Sequence, residues 1–183
     1  YELFDALPVH RLIGRSSGEL GELCVDVAED GRFVWIEQEL SDPGLVELLG
    51  ERARLEPGQI ADVSIEWRPL YRRLAERLAR GLLVTCDFGF ERPSLLDPRV
   101  RFHGTLACYR RQRVHRDALD AVGRQDLAAH VDFTALREEG ERAGLETIAW
   151  TRQALWLLAC GVFEQLQEAD QMTRLEEIGR AHV

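Results

Sequence analysis

The run Leu82-Leu83-Val84-Thr85-Cys86 ends in Asp87-Phe88-Gly89-Phe90, so a carboxylate closes a short apolar segment. In open α/β sheets the ligand crevice lies at such strand ends. Asp87 is therefore a candidate for substrate binding, with a structural hydrogen bond to the following loop as the competing reading. Thr105 and Tyr109 carry hydroxyls and are candidates for substrate binding, or for plain packing. His130 has an imidazole that titrates near neutral pH, and reads as a proton-handling group or as a hydrogen-bonded structural histidine. Arg110, Arg111, Arg113, His115 and Arg116 form a basic cluster that can hold an anion or stand solvated on a loop.

Other chemistries find no support. The kinase-like triplet Asp87-Phe88-Gly89 has no catalytic loop before it and no companion motif after it. There is no phosphate-binding glycine loop, HExxH, GxSxG or CxxC, and no cysteine–histidine spacing suited to zinc. Cys24, Cys86, Cys108 and Cys160 are unpaired in pattern, which fits a reducing, cytoplasmic setting. Cys86 and Cys160 lie in apolar runs and read as small buried hydrophobes. The net charge is −9 over 183 residues, which disfavours nucleic-acid binding. No apolar stretch approaches the roughly 18 residues of a membrane span.

These residues must be positioned by a folded scaffold. With 45% hydrophobic and 30% charged residues, the chain reads as one globular domain over 1–183. Residues 22–39 read as a β-hairpin turning at Asp30-Gly31. Residues 41–54 read as a short helix or two turns, and 61–67 as a strand leading into a helix. Residues 69–80 give a clear helix, with Pro69 at its first position, a Leu70–Leu74–Leu78 stripe and Gly81 as its stop. Residues 82–86 then read as a buried parallel strand. After a loop-rich stretch, Asp132 is an N-cap for a helix over 133–143. A strand over 145–150 and helices over 151–161 and 164–178 complete a mixed α/β pattern. The tryptophans Trp35, Trp67, Trp150 and Trp156 read as core or interface anchors.

Taken in order, several segments resemble one family. Glu2-Leu3-Phe4-Asp5-Ala6-Leu7-Pro8-Val9 resembles the NExxDALPV motif of the MidA-like SAM-dependent methyltransferases. The segment ending in Asp87-Phe88-Gly89 is similar to that family's strand ending in DYG. Gly104-Thr105-Leu106-Ala107-Cys108-Tyr109 is similar to its GTLRAY, and residues 123–133 to its PGxQDLTAHVDF. Thr151, Gln153, Leu157, Leu158 and Gly161 fall where the family has TQxxFLLxxG. Departures occur at Tyr1 for Asn, Phe88 for Tyr, Ala128 for Thr, Val122 for Pro and Gln112 for a common His. They bear on catalytic competence rather than on the fold.

The resemblance implies the C-terminal part of a Rossmann-like class I methyltransferase sheet, with a β-hairpin insertion at about 22–39 and extra helices. It implies S-adenosyl-L-methionine as cofactor of the complete protein, held by a glycine-rich front that this sequence lacks. It implies a protein substrate, with methyl transferred to an arginine guanidinium. Carboxylates suit that acceptor because they bind its planar fork bidentately. Glu2 and Asp5, in the loop that by resemblance faces the donor methyl, are the candidate catalytic residues. Two alternatives stand beside this one: a noncatalytic partner-binding or assembly protein on the same fold, and a small-molecule methyltransferase. An exposed sheet edge would also leave a homodimer open.

Overall fold

The computed structural model describes residues 3–50 and 54–162. The chain divides into two compact units between Glu146 and Thr147, each described here by itself. The predicted helix over 164–178 and the candidate residue Glu2 lie outside the described residues.

The first unit opens with a single 3-10 turn, Phe4–Ala6. Next come β1 (His10–Gly14), β2 (Leu20–Val27) and β3 (Phe33–Gln38), then the short helix α1 (Leu45–Leu48) and β4 (Ile60–Val63). These strands form one antiparallel sheet in the order β3-β2-β1-β4. The hairpin expected over 22–39 is present, but it is built into this sheet. Its turn spans Ala28 to Arg32, because Val27 pairs with Phe33 and the Ala28 amide donates to the Arg32 carbonyl. The five-residue loop replaces the two-residue turn expected at Asp30-Gly31. Leu12, Leu45, Leu48, Leu49, Leu55 and Ala61 form the core under the sheet.

Helix α2 (Trp67–Arg77) follows. Its buried face is Trp67, Tyr71 and Ala75, an i, i+4, i+8 stripe, and Leu74 lies 40% exposed. The expected leucine stripe is therefore rotated by one residue. The helix begins two residues earlier than expected, and Leu78 rather than Gly81 ends it. Aromatic burial outweighs leucine periodicity here, since each large ring removes more apolar surface from water.

The expected buried strand over 82–86 is absent. Leu82 and Val84 are exposed, and no strand pairs with this run among the described residues. A strand exists only when a neighbour takes its N–H and C=O groups. Parallel pairing appears just beyond it, between β5 (Gly89–Phe90) and β9 (Val131–Asp132). Between them lie α3 (Arg92–Leu95) and α4 (Pro98–Arg101). The three strands β6 (Ala107–Arg110), β7 (Arg113–His115) and β8 (Asp126–Ala128) also fall there, and form a small antiparallel sheet in the order β7-β6-β8. Helix α5 (Phe133–Arg142) is capped as expected, with Asp132 Oδ1 accepting from the Ala135 amide at 2.9 Å.

Residues 145–150 carry no strand. In the second unit, α6 (Gln153–Ala159) takes the place of the helix expected over 151–161. Cys86 is only half-buried and Cys160 exposed, whereas Cys108 is the fully buried thiol. Trp67 is the one tryptophan in the buried core; Trp35 packs against the Cys108 cluster, and Trp150 and Trp156 are exposed.

Candidate functional site

Four separated segments converge on the opening turn. Phe4 anchors it, packing edge-on against Trp67 at 6.5 Å and Tyr71 at 6.1 Å between ring centroids. This aromatic cluster continues to Val131, Ala135 and Leu136, so α2 and α5 hold the turn from beneath. From the side, Asp87 Oδ2 accepts the amides of Leu3 at 3.0 Å and Phe4 at 2.7 Å, while Oδ1 accepts from the Phe88 amide at 2.8 Å. A carboxylate with three backbone donors is a clamp: it fixes the backbone that presents Asp5. The carbonyl of Asp5 in turn accepts from the Ala129 amide at 2.8 Å, which ties the turn to the segment carrying His130.

Thr105 and His130 meet directly, the His130 amide donating to Thr105 Oγ1 at 3.1 Å. Thr105 is buried, and its own amide and that of Leu106 donate to Asp62 Oδ2 at 2.6 and 2.8 Å. The other oxygen of Asp62 takes Arg11 Nε at 2.8 Å. Arg11 and Asp62 are direct cross-strand partners on β1 and β4. Gly104 is required beside them: its backbone is left-handed (φ 75°), and a Cβ there would stand 2.3 Å from Asp62 Oδ2. Gly89 is required for close approach instead, since a Cβ would fall 2.2 Å from the Val131 carbonyl oxygen.

The His130 ring packs edge-on against Phe90 at 5.1 Å, and the Arg101 guanidinium lies over the same Phe90 ring, 3.7 Å from its centroid. Burial, followed by the charges of Arg101 and Arg116, lowers the His130 pKa below its ordinary value, against a smaller opposing pull from Asp62. Its Nδ1 is buried with no hydrogen-bond partner among the described residues. The result is a neutral imidazole with an unused nitrogen.

The structure thus brings Asp5, Asp87, Thr105 and His130 into one neighbourhood. Tyr109 is not part of it. It lies on β6 opposite Val114 and Asp126 and lines a separate cleft beside Arg110, Arg111 and Arg124. Sequence reasoning missed Asp62 and Arg11. The available signal was a single acidic residue in the otherwise apolar run Ile60-Ala61-Asp62-Val63, since a charge inside a buried strand demands a partner. Among the described residues no group of acidic, cysteine or histidine side chains is placed to hold a metal, and no helix is long and apolar enough to cross a membrane.

The comparisons give this mixed α/β scaffold its class, that of the SAM-dependent methyltransferases. Residues 1–151 match the family described as "putative S-adenosyl-L-methionine-dependent methyltransferase". The chain belongs to that SAM-dependent methyltransferase family. It is 28% identical, over 97% of its length and 38% of the other protein's, to the mitochondrial protein arginine methyltransferase NDUFAF7 homolog of Drosophila melanogaster. A crystal structure of a COG1565 superfamily member from Burkholderia thailandensis bound to S-adenosyl-homocysteine superposes with a TM-score of 0.81. The identity is 29%, and 94% of this chain and 44% of that one are covered. A second structure, the native form of a COG1565 superfamily protein from the same organism, gives the same TM-score and identity over 97% of this chain and 47% of that one. The chain therefore spans less than half the length of the relatives it matches.

The family uses S-adenosyl-L-methionine, and the residues described here do not by themselves make a cradle for it. Among them no strand runs through a glycine-rich turn into a helix, the arrangement that receives a nucleotide-like cofactor. What this chain supplies is the clamped acidic turn and its surroundings.

Proposed function

We propose that this chain forms the acceptor side of a SAM-dependent methyltransferase whose substrate is a protein arginine. The observation that carries the reading is the clamp of Asp87 on the Leu3 and Phe4 amides. It spends a charged group on holding still the short turn that bears Asp5, and positioning is the main task of a methyl-transfer enzyme. The Drosophila relative's description as a protein arginine methyltransferase supports the choice of acceptor.

In this reading Asp5, with Glu2 beside it in sequence, accepts the planar fork of the substrate guanidinium. The carboxylates draw positive charge toward the nitrogens they touch and leave the attacking nitrogen less cationic. The guanidinium must shed a proton as it is alkylated. His130, whose pKa burial and the charges of Arg101 and Arg116 lower, is the candidate group to take it. Thr105 fixes the His130 backbone, and Asp62 fixes Thr105.

The test uses the full-length protein with S-adenosyl-L-methionine labelled in its methyl group and a protein extract as acceptor, read by mass spectrometry for methylarginine. Labelled methylarginine from the wild type, with loss in Asp5→Asn while cofactor binding by calorimetry is retained, is the expected result. Cofactor binding with label only in small molecules would select the small-molecule alternative. Cofactor binding with no transfer to any acceptor would sink the catalytic reading and favour a partner-binding role.

A further inference from the structure

Of the basic cluster seen in the sequence, Arg110, Arg111 and Arg113 lie at the tip of the β6–β7 hairpin, whereas Arg116 donates to the Gly104 carbonyl. Three local features at the tip work against stability. Arg110 and Arg113 are direct cross-strand partners, and like charges placed opposite each other repel. Arg111 and Gln112 both adopt left-handed backbone, with φ 50° and 60°, in a two-residue turn that ordinarily selects Asn or Gly. The side chains of Arg111 and Arg113 make no hydrogen bond or ion pair among the described residues; Arg110 reaches Asp120 at 3.7 Å. Local conflicts of this kind collect at functional sites, where something outside the fold compensates them.

Two open clefts of about 600 and 450 Å³ flank the tip, and Arg110 and Arg111 belong to both. The outward face of the hairpin beside them is apolar, with Tyr109 and Val114 paired across the strands and both exposed. Guanidiniums next to an exposed aromatic and a valine form a mixed surface. It suits a peptide carrying carboxylate and apolar side chains. A polyanion suits it poorly, because Asp120 and Asp126 line the two clefts and the chain is net acidic.

We propose that the tip of the β6–β7 hairpin is a docking site for an acidic segment of a protein partner. The segment's side-chain carboxylates pair with Arg111 and Arg113, and its apolar side chains lie on Tyr109 and Val114. The site goes beyond the methyl-transfer reading and does not require it.

The test is fluorescence anisotropy on the full-length protein at low salt, with a fluorescein-labelled Leu-Glu-Glu-Leu-Glu-Glu peptide as probe and its Gln-for-Glu counterpart as control. The acidic peptide is expected to bind in preference to the control and to weaken as salt rises. Arg111→Glu with Arg113→Glu is expected to weaken binding by at least about tenfold. Arg111→Gly, which the left-handed backbone accepts and which keeps the fold, is expected to weaken it several-fold. Equal binding of the two peptides, unchanged affinity in the charge-reversed protein, or tighter binding of a single-stranded oligonucleotide than of the acidic peptide would each overturn the proposal.

Discussion

Asp62 and Thr105 lie 43 residues apart in the chain and are joined by a 2.6 Å hydrogen bond from the Thr105 amide to the Asp62 carboxylate. The same oxygen takes the Leu106 amide, and the other takes Arg11. The large antiparallel sheet is thereby fastened to the loop that holds His130. The Asp62 side chain has no solvent exposure. Asp62→Ala would leave two buried amides unpaired and Arg11 with only its longer 3.4 Å bond to the His103 carbonyl. Equilibrium denaturation is expected to show a loss of about 3–5 kcal/mol. Gly104→Ala, which drives a Cβ into Asp62 Oδ2 from a left-handed backbone, should also destabilise, by about 1–3 kcal/mol or more. A loss below 1 kcal/mol in both variants would contradict this account of the junction.

Asp87 acts at a different level, on local order rather than on the core. Removing its charge in Asp87→Asn weakens charge-assisted bonds to Leu3 and Phe4, each worth about 1.5–3 kcal/mol. Hydrogen exchange at the Phe4 amide should accelerate at least about tenfold, while the amides of β1 and β4 keep their protection. Transfer activity of the full-length protein should fall with it if the turn presents the acceptor group. Unchanged exchange at Phe4 would mean that the aromatic packing of Phe4 holds the turn without the clamp.

Acid should weaken the fold in two steps. His130 titrates in the folded chain below its ordinary 6.5, so the unfolded chain binds more protons as pH falls through that value. Stability contributed by the neutral, half-buried imidazole is present above about pH 6.5 and declines below it. Glu139 comes later. Burial pushes its carboxyl up, but Arg72, Arg68 and Arg142 together hold it below its ordinary 4.5, so its contribution is present above that pH and is lost as pH falls further. His130→Gln should flatten the first decline and leave the second, and Glu139→Gln should do the reverse. Urea midpoints measured from pH 7 to pH 3 would show it. A first decline that persists in His130→Gln would assign it to another group.

Much of this arrangement was readable from the sequence, for identifiable reasons. The cap of Asp132 on α5 is local, decided by the residues themselves. Asp5, Asp87, Thr105 and His130 were singled out separately from chemistry and resemblance, and the fold brings them together. What was not readable depended on partners. Leu82–Cys86 has the composition of a buried strand, but composition cannot supply the neighbouring ladder a strand requires. The hairpin turns around Asp30-Gly31 in a wider loop than expected, because strand pairing stops at Val27–Phe33. Tyr109 and Thr105 share one sequence segment but not one neighbourhood. Cys108 is buried and side chains alternate along a strand, so Tyr109 on β6 is turned outward.

The rotated face of α2 gives a direct test of which pattern the fold obeys. Leucine periodicity would place Leu74 at the centre of the buried stripe; the structure places Tyr71 there, with its ring against Phe4 and Trp67. Burial also pushes the Tyr71 phenol pKa upward, as expected for a ring in apolar surroundings. Tyr71→Ala should cost about 3–5 kcal/mol, the range for emptying an aromatic site in a packed core. It should also loosen the opening turn, because Phe4 loses one of its two aromatic partners. Leu74→Ala, at a position 40% exposed, should cost less than about 1 kcal/mol. The two variants differ by three residues on one helix, so helix propensity does not explain a gap of this size. If Leu74→Ala proved the more damaging in thermal and chemical unfolding, the leucine stripe would be the buried face. The aromatic anchor of the Asp5 turn would then be wrong.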